Sequence, residues 1–197
     1  MKRWFPKLYD PLMASLETKT FKPIRTRLIG DAGGQVLEIG AGTGVNFAFY
    51  KMAEQVTAIE PNPEMLKRAQ PKKRQASVAI HAELGNAEQL NFPENAFDTV
   101  VGTLVFCTIA NPEKALDEIR RVLNPGGRLL LLEHVRMEDR LLGKAQDLLT
   151  PVWRRLCDGC HLNRNTLRVV KEAGFREEHV ESFSRGLYFS GVFLNQP

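Results

Sequence analysis

No run of about eighteen apolar residues occurs in this chain, so no segment reads as a membrane-spanning helix. Residues 1–23 lack an apolar core and a small-residue cleavage site, which argues against a secretory signal and makes a cytoplasmic location the expectation. Three cysteines are too few for a disulfide framework. Internal repeats and low-complexity tracts are also lacking. Nor is there an excess of one charge over the body of the chain. The net charge of +4 resides in residues 1–34, where seven basic side chains face three acidic ones, and the remainder balances at twenty of each. Nucleic acid is therefore not an expected partner. The Cys157-Asp158-Gly159-Cys160-His161 segment matches C-x-x-C-H, but covalent haem attachment belongs to an exported compartment. A structural zinc site needs four ligands and this cluster offers three. No metal is expected, and the segment reads as a turn or pocket wall.

What remains is the composition of a folded domain, and 197 residues suffice for one with a proper core. The most informative stretch is Val36-Leu37-Glu38-Ile39-Gly40-Ala41-Gly42-Thr43-Gly44-Val45-Asn46. A short apolar run ends in alternating glycines, followed by helix-compatible residues. That is the outline of a buried strand, a tight turn and a helix start. Glycine permits a positive φ and close approach of a ligand to the backbone. A helix N-terminus there would favour an anionic group. Twenty residues beyond Gly40, Glu60 closes a second apolar run, placed to accept bonds from both ribose hydroxyls. The pair points to an adenosine-containing ligand. The dinucleotide pattern G-x-G-x-x-G would need glycine at 45, where Val45 stands, and the third glycine comes one residue early, at Gly44.

Strands are expected over 35–40, 55–60, 77–82, 98–105, 128–135, 177–183 and 186–194. Helices are expected over 44–53, 62–70, 112–123, 139–156 and 164–173, with a short helical turn at 86–90. Asn62-Pro63 and Asn111-Pro112 mark two helix starts. Short, nearly continuous apolar runs suit parallel strands buried on both faces. The expectation is an α/β three-layer Rossmann-like sandwich, with a mostly parallel seven-stranded sheet and an antiparallel C-terminal hairpin. Residues 1–32 read as an amphipathic arm or lid, and 33–197 as one domain with a helical insert at 136–165. In the arm, Trp4, Phe5, Leu8, Tyr9, Leu12, Met13 and Leu16 alternate with basic residues. It would lie over the domain, or on an anionic inner membrane surface as a peripheral contact. Tyr9 could close over the cofactor.

Val36–Asn46, Glu60, Gly85-Asn86-Ala87-Glu88, Phe97-Asp98-Thr99-Val100 and Leu123-Asn124-Pro125-Gly126-Gly127 resemble, in order and spacing, the class I S-adenosylmethionine-dependent methyltransferases. The resemblance spans about residues 33–196. It is nearest the branch of the ubiquinone/menaquinone methyltransferases, the phosphatidylethanolamine N-methyltransferases and the methyltransferase-like thiol S-methyltransferases. Glu133-His134-Val135-Arg136, Pro151-Val152-Trp153 and Asp158-Gly159-Cys160 most resemble the last of these. The resemblance implies S-adenosyl-L-methionine as donor and S-adenosyl-L-homocysteine as product. It implies Glu38 at the methionine end of the cofactor, Gly40, Ala41, Gly42 and Gly44 beneath it, and Glu60 on the ribose. Pro61, Asn86 and Ala87 would lie about the adenine, and Thr103 would face the methionine end. Many relatives have Asp at position 86. Asn86 could equally cap the turn that follows it, and Glu38 could brace the loop.

Methyl transfer needs alignment and exclusion of water more than covalent catalysis, so a missing nucleophile–base triad does not count against it. For a thiol, amine or phenol acceptor a base would help, and His134 is placed for that role, or for a structural one. Cys107 reads as pocket wall or nucleophile. Phe5, Tyr9, Phe106, Leu148, Trp153 and Leu156 offer an apolar lining for a small hydrophobic or lipid-like acceptor, with thiol or lipid amine favoured and quinol next; they could equally be core. An NAD-dependent oxidoreductase and a non-catalytic cofactor-binding or membrane-docking module are the rival readings.

Overall fold

The apolar runs pair into one sheet of seven strands: β1 Gly34–Ile39, β2 Ala53–Glu60, β3 Ala79–Leu84, β4 Phe97–Thr103, β5 Leu123–His134, β6 Phe175–Phe183 and β7 Tyr188–Asn195. The structure, a computed structural model, describes residue 11 and residues 13–196. Strand order is β3-β2-β1-β4-β5-β7-β6. The first five strands are parallel, and the β6–β7 hairpin joins them through antiparallel pairing of β7 with β5. The order reverses between β1 and β4, which is where open α/β sheets bind ligands at the strands' carboxyl ends.

Five α-helices with both ends among the described residues accompany the sheet: α1 Lys22–Leu28, α2 Pro63–Gln75, α3 Pro112–Val122, α4 Arg140–Leu156 and α5 Thr166–Glu172. Alternate strand residues feed opposite faces, as the two-residue pleat requires. Leu37, Ile39, Val100, Leu129 and Leu131 pack with Leu116, Ile119 and Val122 of α3 and Val170 of α5. Val36, Val56, Val101, Leu130 and Leu132 pack on the other face with Phe21, Leu28, Ile29, Phe47 and Ala69. The result is the expected three-layer sandwich.

Residues 21–32, read from sequence as part of an arm, contribute to the second layer. A π-helical turn, Glu17–Phe21, runs into α1, and Phe21, Ile29 and Ala32 are wholly buried. Both Asn-Pro signals act as helix caps. Asn62 accepts from the Glu64 amide and Asn111 from the Lys114 amide, each at 2.9 Å, interactions worth ~1 kcal/mol apiece. The helix expected over 44–53 is instead a 3-10 turn, Val45–Ala48. Both Phe47 and Tyr50 are fully buried, and the chain must straighten to begin β2 at Ala53. The turn expected at 86–90 is a β-turn closed by Gln89 N–H on the Asn86 carbonyl. No helix among the described residues is long and apolar enough to cross a membrane.

Candidate cofactor and acceptor site

The loop after β1 takes three left-handed steps, with φ of 64° at Gly40, 56° at Gly42 and 75° at Gly44. At Gly40 a Cβ would stand 2.2 Å from Val105 Cγ2. At Gly42 it would meet nothing closer than 4.0 Å, so this backbone is open to a ligand. The amide of Gly42 donates to Glu60 Oε2 and the amide of Asn62 to Oε1, both at 2.9 Å. Glu60 thus joins the ends of β1 and β2 with its carboxylate, and each oxygen keeps a lone pair for a ligand hydroxyl. Burial pushes its carboxyl above the usual range, against the two amide bonds. Because Val45–Ala48 is only a single 3-10 turn, no helix dipole operates here, and the anion-binding argument drawn from a helix start does not apply.

Glu38, in the middle of β1's carboxyl half, is enclosed. Its Oε1 accepts from Asn46 Nδ2 at 2.9 Å and its Oε2 from the Tyr50 hydroxyl at 2.7 Å. Burial raises its carboxyl to about 7, although those two bonds and the Arg25 charge pull the other way. Asn46 Nδ2 also reaches Thr103 Oγ1 at 3.0 Å, which ties the ends of β1 and β4. Arg25 completes the network. It donates to Asn46 Oδ1, to Thr103 Oγ1 at 2.8 Å, and to both oxygens of Glu17, with only 2% of the residue exposed. In the sequence Arg25 is simply one of the seven basic residues of positions 1–34, and no role was expected of it. The available signal was its spacing: Phe21, Arg25 and Leu28 recur on the buried side of one helix.

The turn beyond β4 is shaped by a second buried acid. Glu133 Oε1 accepts the amides of Val105 at 2.8 Å and Phe106 at 3.0 Å. These bonds hold Leu104 at φ 54°, a left-handed conformation costly for a branched side chain. Burial lifts the Glu133 carboxyl to about 7. Beside it, His134 Nε2 lies 3.2 Å from Cys160 Sγ. Burial opposes protonation of His134, but the contact with Cys160 outweighs it and raises the ring's pKa. The Cys107 thiol and the His134 ring hold Cys160 below the ordinary thiol range.

The structure therefore brings Glu38, Gly40, Ala41, Gly42, Gly44, Glu60 and Thr103 to one end of the sheet. Pro61 is exposed beside Glu60, and Ala87 is buried. Asn86 is exposed, and its Oδ1 accepts the Glu88 amide at 2.9 Å, the capping role open to it. His134 ends β5, next to β4. Tyr9 and Phe5 lie outside the described residues. Phe106 is wholly buried in the core, whereas Leu148 is 80% exposed, on the outer side of α4 with Leu141, Leu149 and Val152. A surface groove lined by Glu17, Thr18, Val45, Phe49 and Lys72 touches the glycine loop only at Gly44 and includes neither Glu38 nor Glu60.

A family model described as "Methyltransferase domain" matches residues 37–131. The thiol S-methyltransferase TMT1B of Rattus norvegicus is 37% identical over 200 residues, covering 90% of this chain and 80% of that protein. The thiol S-methyltransferase TMT1A of Homo sapiens is 34% identical over 198 residues, covering 92% and 80%. Among solved structures, a chain of the complex between the Haloferax volcanii Trm112 methyltransferase activator and a methyltransferase superposes with a TM-score of 0.75. It covers 100% of both chains at 16% identity, a likeness of fold.

Proposed function

Because this chain belongs to the class I S-adenosylmethionine-dependent methyltransferases, we propose that it methylates the sulfur of a small hydrophobic thiol. The coarser activity, methyl transfer from S-adenosylmethionine to a small-molecule acceptor, follows from family membership. The site suits that donor. Glu60 offers free lone pairs beside the open backbone of Gly42, and Glu38 is a buried acceptor at the other end of the same loop. A bound cationic ligand would favour the ionised form of both acids, which burial alone disfavours.

When bound, the donor supplies an electrophilic methyl group on a charged sulfur. The protein's task is then positional. Glu60 and the glycine loop fix the ribose end, and the Glu38–Asn46–Thr103 network fixes the edge of the site between β1 and β4. Alignment and loss of solvent can lower the barrier by ~7–11 kcal/mol. His134 and Cys160, at the end of β5 and after α4, stand 3.2 Å apart at the acceptor side.

The observation that supports a thiol is similarity to two thiol S-methyltransferases along about nine-tenths of the chain, including the 133–160 segment. The exposed apolar side chains of α4 support a hydrophobic or lipid-like acceptor, and together with the basic–aromatic arm they support peripheral contact with a membrane surface. The test is a methyl-transfer assay with the full chain and labelled S-adenosylmethionine. Alkyl thiols, phosphatidylethanolamine and quinol precursors form the acceptor panel. Turnover of the thiols at the highest kcat/KM is expected. Preferential methylation of the amine or the quinol would overturn the thiol assignment and leave the coarser activity standing.

A further inference from the structure

Cys107, His134 and Cys160 are scattered in sequence and adjacent in space. Cys107 lies in the turn beyond β4, His134 ends the neighbouring strand β5, and Cys160 follows α4. Their ligand atoms, two Sγ and an imidazole nitrogen, all lie within 4.8 Å of one another, and His134 Nε2 is 3.2 Å from Cys160 Sγ. Around a tetrahedral zinc ion, with Zn–S about 2.3 Å and Zn–N about 2.0 Å, such atoms stand roughly 3.5–3.8 Å apart. The three atoms are thus nearly at coordination spacing.

The backbone holds them there. His161 N–H donates to the Cys107 carbonyl at 2.8 Å, which ties the two cysteine loops together. Arg164 donates to the carbonyls of Phe106 and Ile109, the latter at 2.6 Å, and so clamps the loop that carries Cys107. Cys107 is buried, whereas His134 and Cys160 are partly exposed, so the cluster opens to one side. Two sulfurs and an imidazole, with no carboxylate among them, select zinc or a softer ion over magnesium or calcium. Three protein ligands with an open fourth position form the pattern of a catalytic zinc site.

We propose that Cys107, His134 and Cys160 bind one Zn²⁺ whose fourth position takes the acceptor sulfur; the role of that fourth position rests on the thiol reading above. The C-x-x-C-H pattern shares only Cys160 with this set: Cys157 and His161 are not ligands, and the fold supplies Cys107 and His134 in their place. At such a centre the acceptor R–SH gives its proton to solvent and binds as a thiolate. Its sulfur pair forms the new S–CH₃ bond while the sulfonium C–S bond breaks, and that bond's electron pair stays on the departing sulfur of S-adenosylhomocysteine. The neutral thioether is a weaker ligand than the thiolate and leaves. The balance is R–SH plus the sulfonium donor giving R–S–CH₃, S-adenosylhomocysteine and one proton.

Equilibrium dialysis of the full chain under reducing conditions, with zinc measured by mass spectrometry, tests the site directly. One zinc per chain is expected. Cys160→Ser and His134→Ala should each weaken binding at least about tenfold, and Cys157→Ser should leave it unchanged. Circular dichroism verifies that the variants fold. Cobalt substitution of the wild-type chain, whose thiolate-to-metal absorption counts sulfur ligands, gives a readout independent of them, and two thiolates are expected. Zinc bound without thiol turnover would uphold the ligand set and remove the acceptor's place on the metal. Thiol turnover by a chain that binds no zinc would overturn the metal site and leave the thiol reading intact. Binding that survives Cys160→Ser, or is lost in Cys157→Ser, would overturn the ligand assignment.

Discussion

Arg25 grips Glu17 with two nitrogens, Nη2 at 2.8 Å and Nε at 3.0 Å, and turns its remaining nitrogen inward to Thr103 and Asn46. One side chain thereby links the π-helical turn before α1, the loop after β1 and the end of β4. A guanidinium can do this because its planar fork presents donors in several directions at once.

Removing that fork strands a partly buried carboxylate and two polar groups. Arg25→Ala should lower the unfolding free energy by about 3 kcal/mol and raise KM for S-adenosylmethionine. Arg25→Lys should recover only part of either effect, since an ammonium cannot span both directions. Urea denaturation and initial-rate kinetics measure the two.

Glu38 makes stability fall with rising pH over a defined window. Its carboxyl is raised to about 7 in the fold from an ordinary value of 4.5, mainly by burial. The unfolded chain gives up this proton first, so the stabilisation is complete below about 4.5 and is lost as pH climbs through about 7. Glu38→Gln should remove a contribution on the order of 2–3 kcal/mol to that fall. Denaturant midpoints of both proteins at about pH 5 and about pH 8 give the difference; parallel profiles would show that Glu38 is ionised throughout.

Glu60 holds the amides of Gly42 and Asn62 and is placed to hold the ribose. Glu60→Ala should weaken S-adenosylhomocysteine binding by ~1–3 kcal/mol in titration calorimetry. Glu60→Gln, which keeps an acceptor oxygen, should lose less. Equal affinity in all three proteins would place the ribose elsewhere.

Two amides and a left-handed leucine depend on Glu133 Oε1. Glu133→Ala should cost ~2–4 kcal/mol by leaving both amides unpaired, and the melting temperature should fall accordingly. Glu133→Gln should restore much of it through its amide oxygen.

The centre of the sheet was legible in the sequence because β1, β4 and β5 are buried on both faces and read as short apolar runs, each closed by a turn signal. Asn62-Pro63 and Asn111-Pro112 marked helix starts within a residue because the capping chemistry is local. The helix expected after the glycine loop failed for a tertiary reason: Tyr50 is drawn in to bond Glu38, which no local propensity records. Arg25 was passed over because a basic residue in a basic segment does not stand out, and only its phase with Phe21 and Leu28 betrays burial. The Cys107–His134–Cys160 cluster was invisible because its members come from three separate elements, while a local C-x-x-C-H pattern drew notice to the wrong neighbours.

β7 lies inside the sheet, between β5 and β6, although it is the seventh strand along the chain. During synthesis the growing polypeptide must therefore keep one flank of β5 bare until some sixty further residues have emerged. Its fold closes like a zip fastener whose slider arrives at the finish: a nascent chain halted short of Tyr188 would expose a long, leucine-rich flank to any other strand in reach.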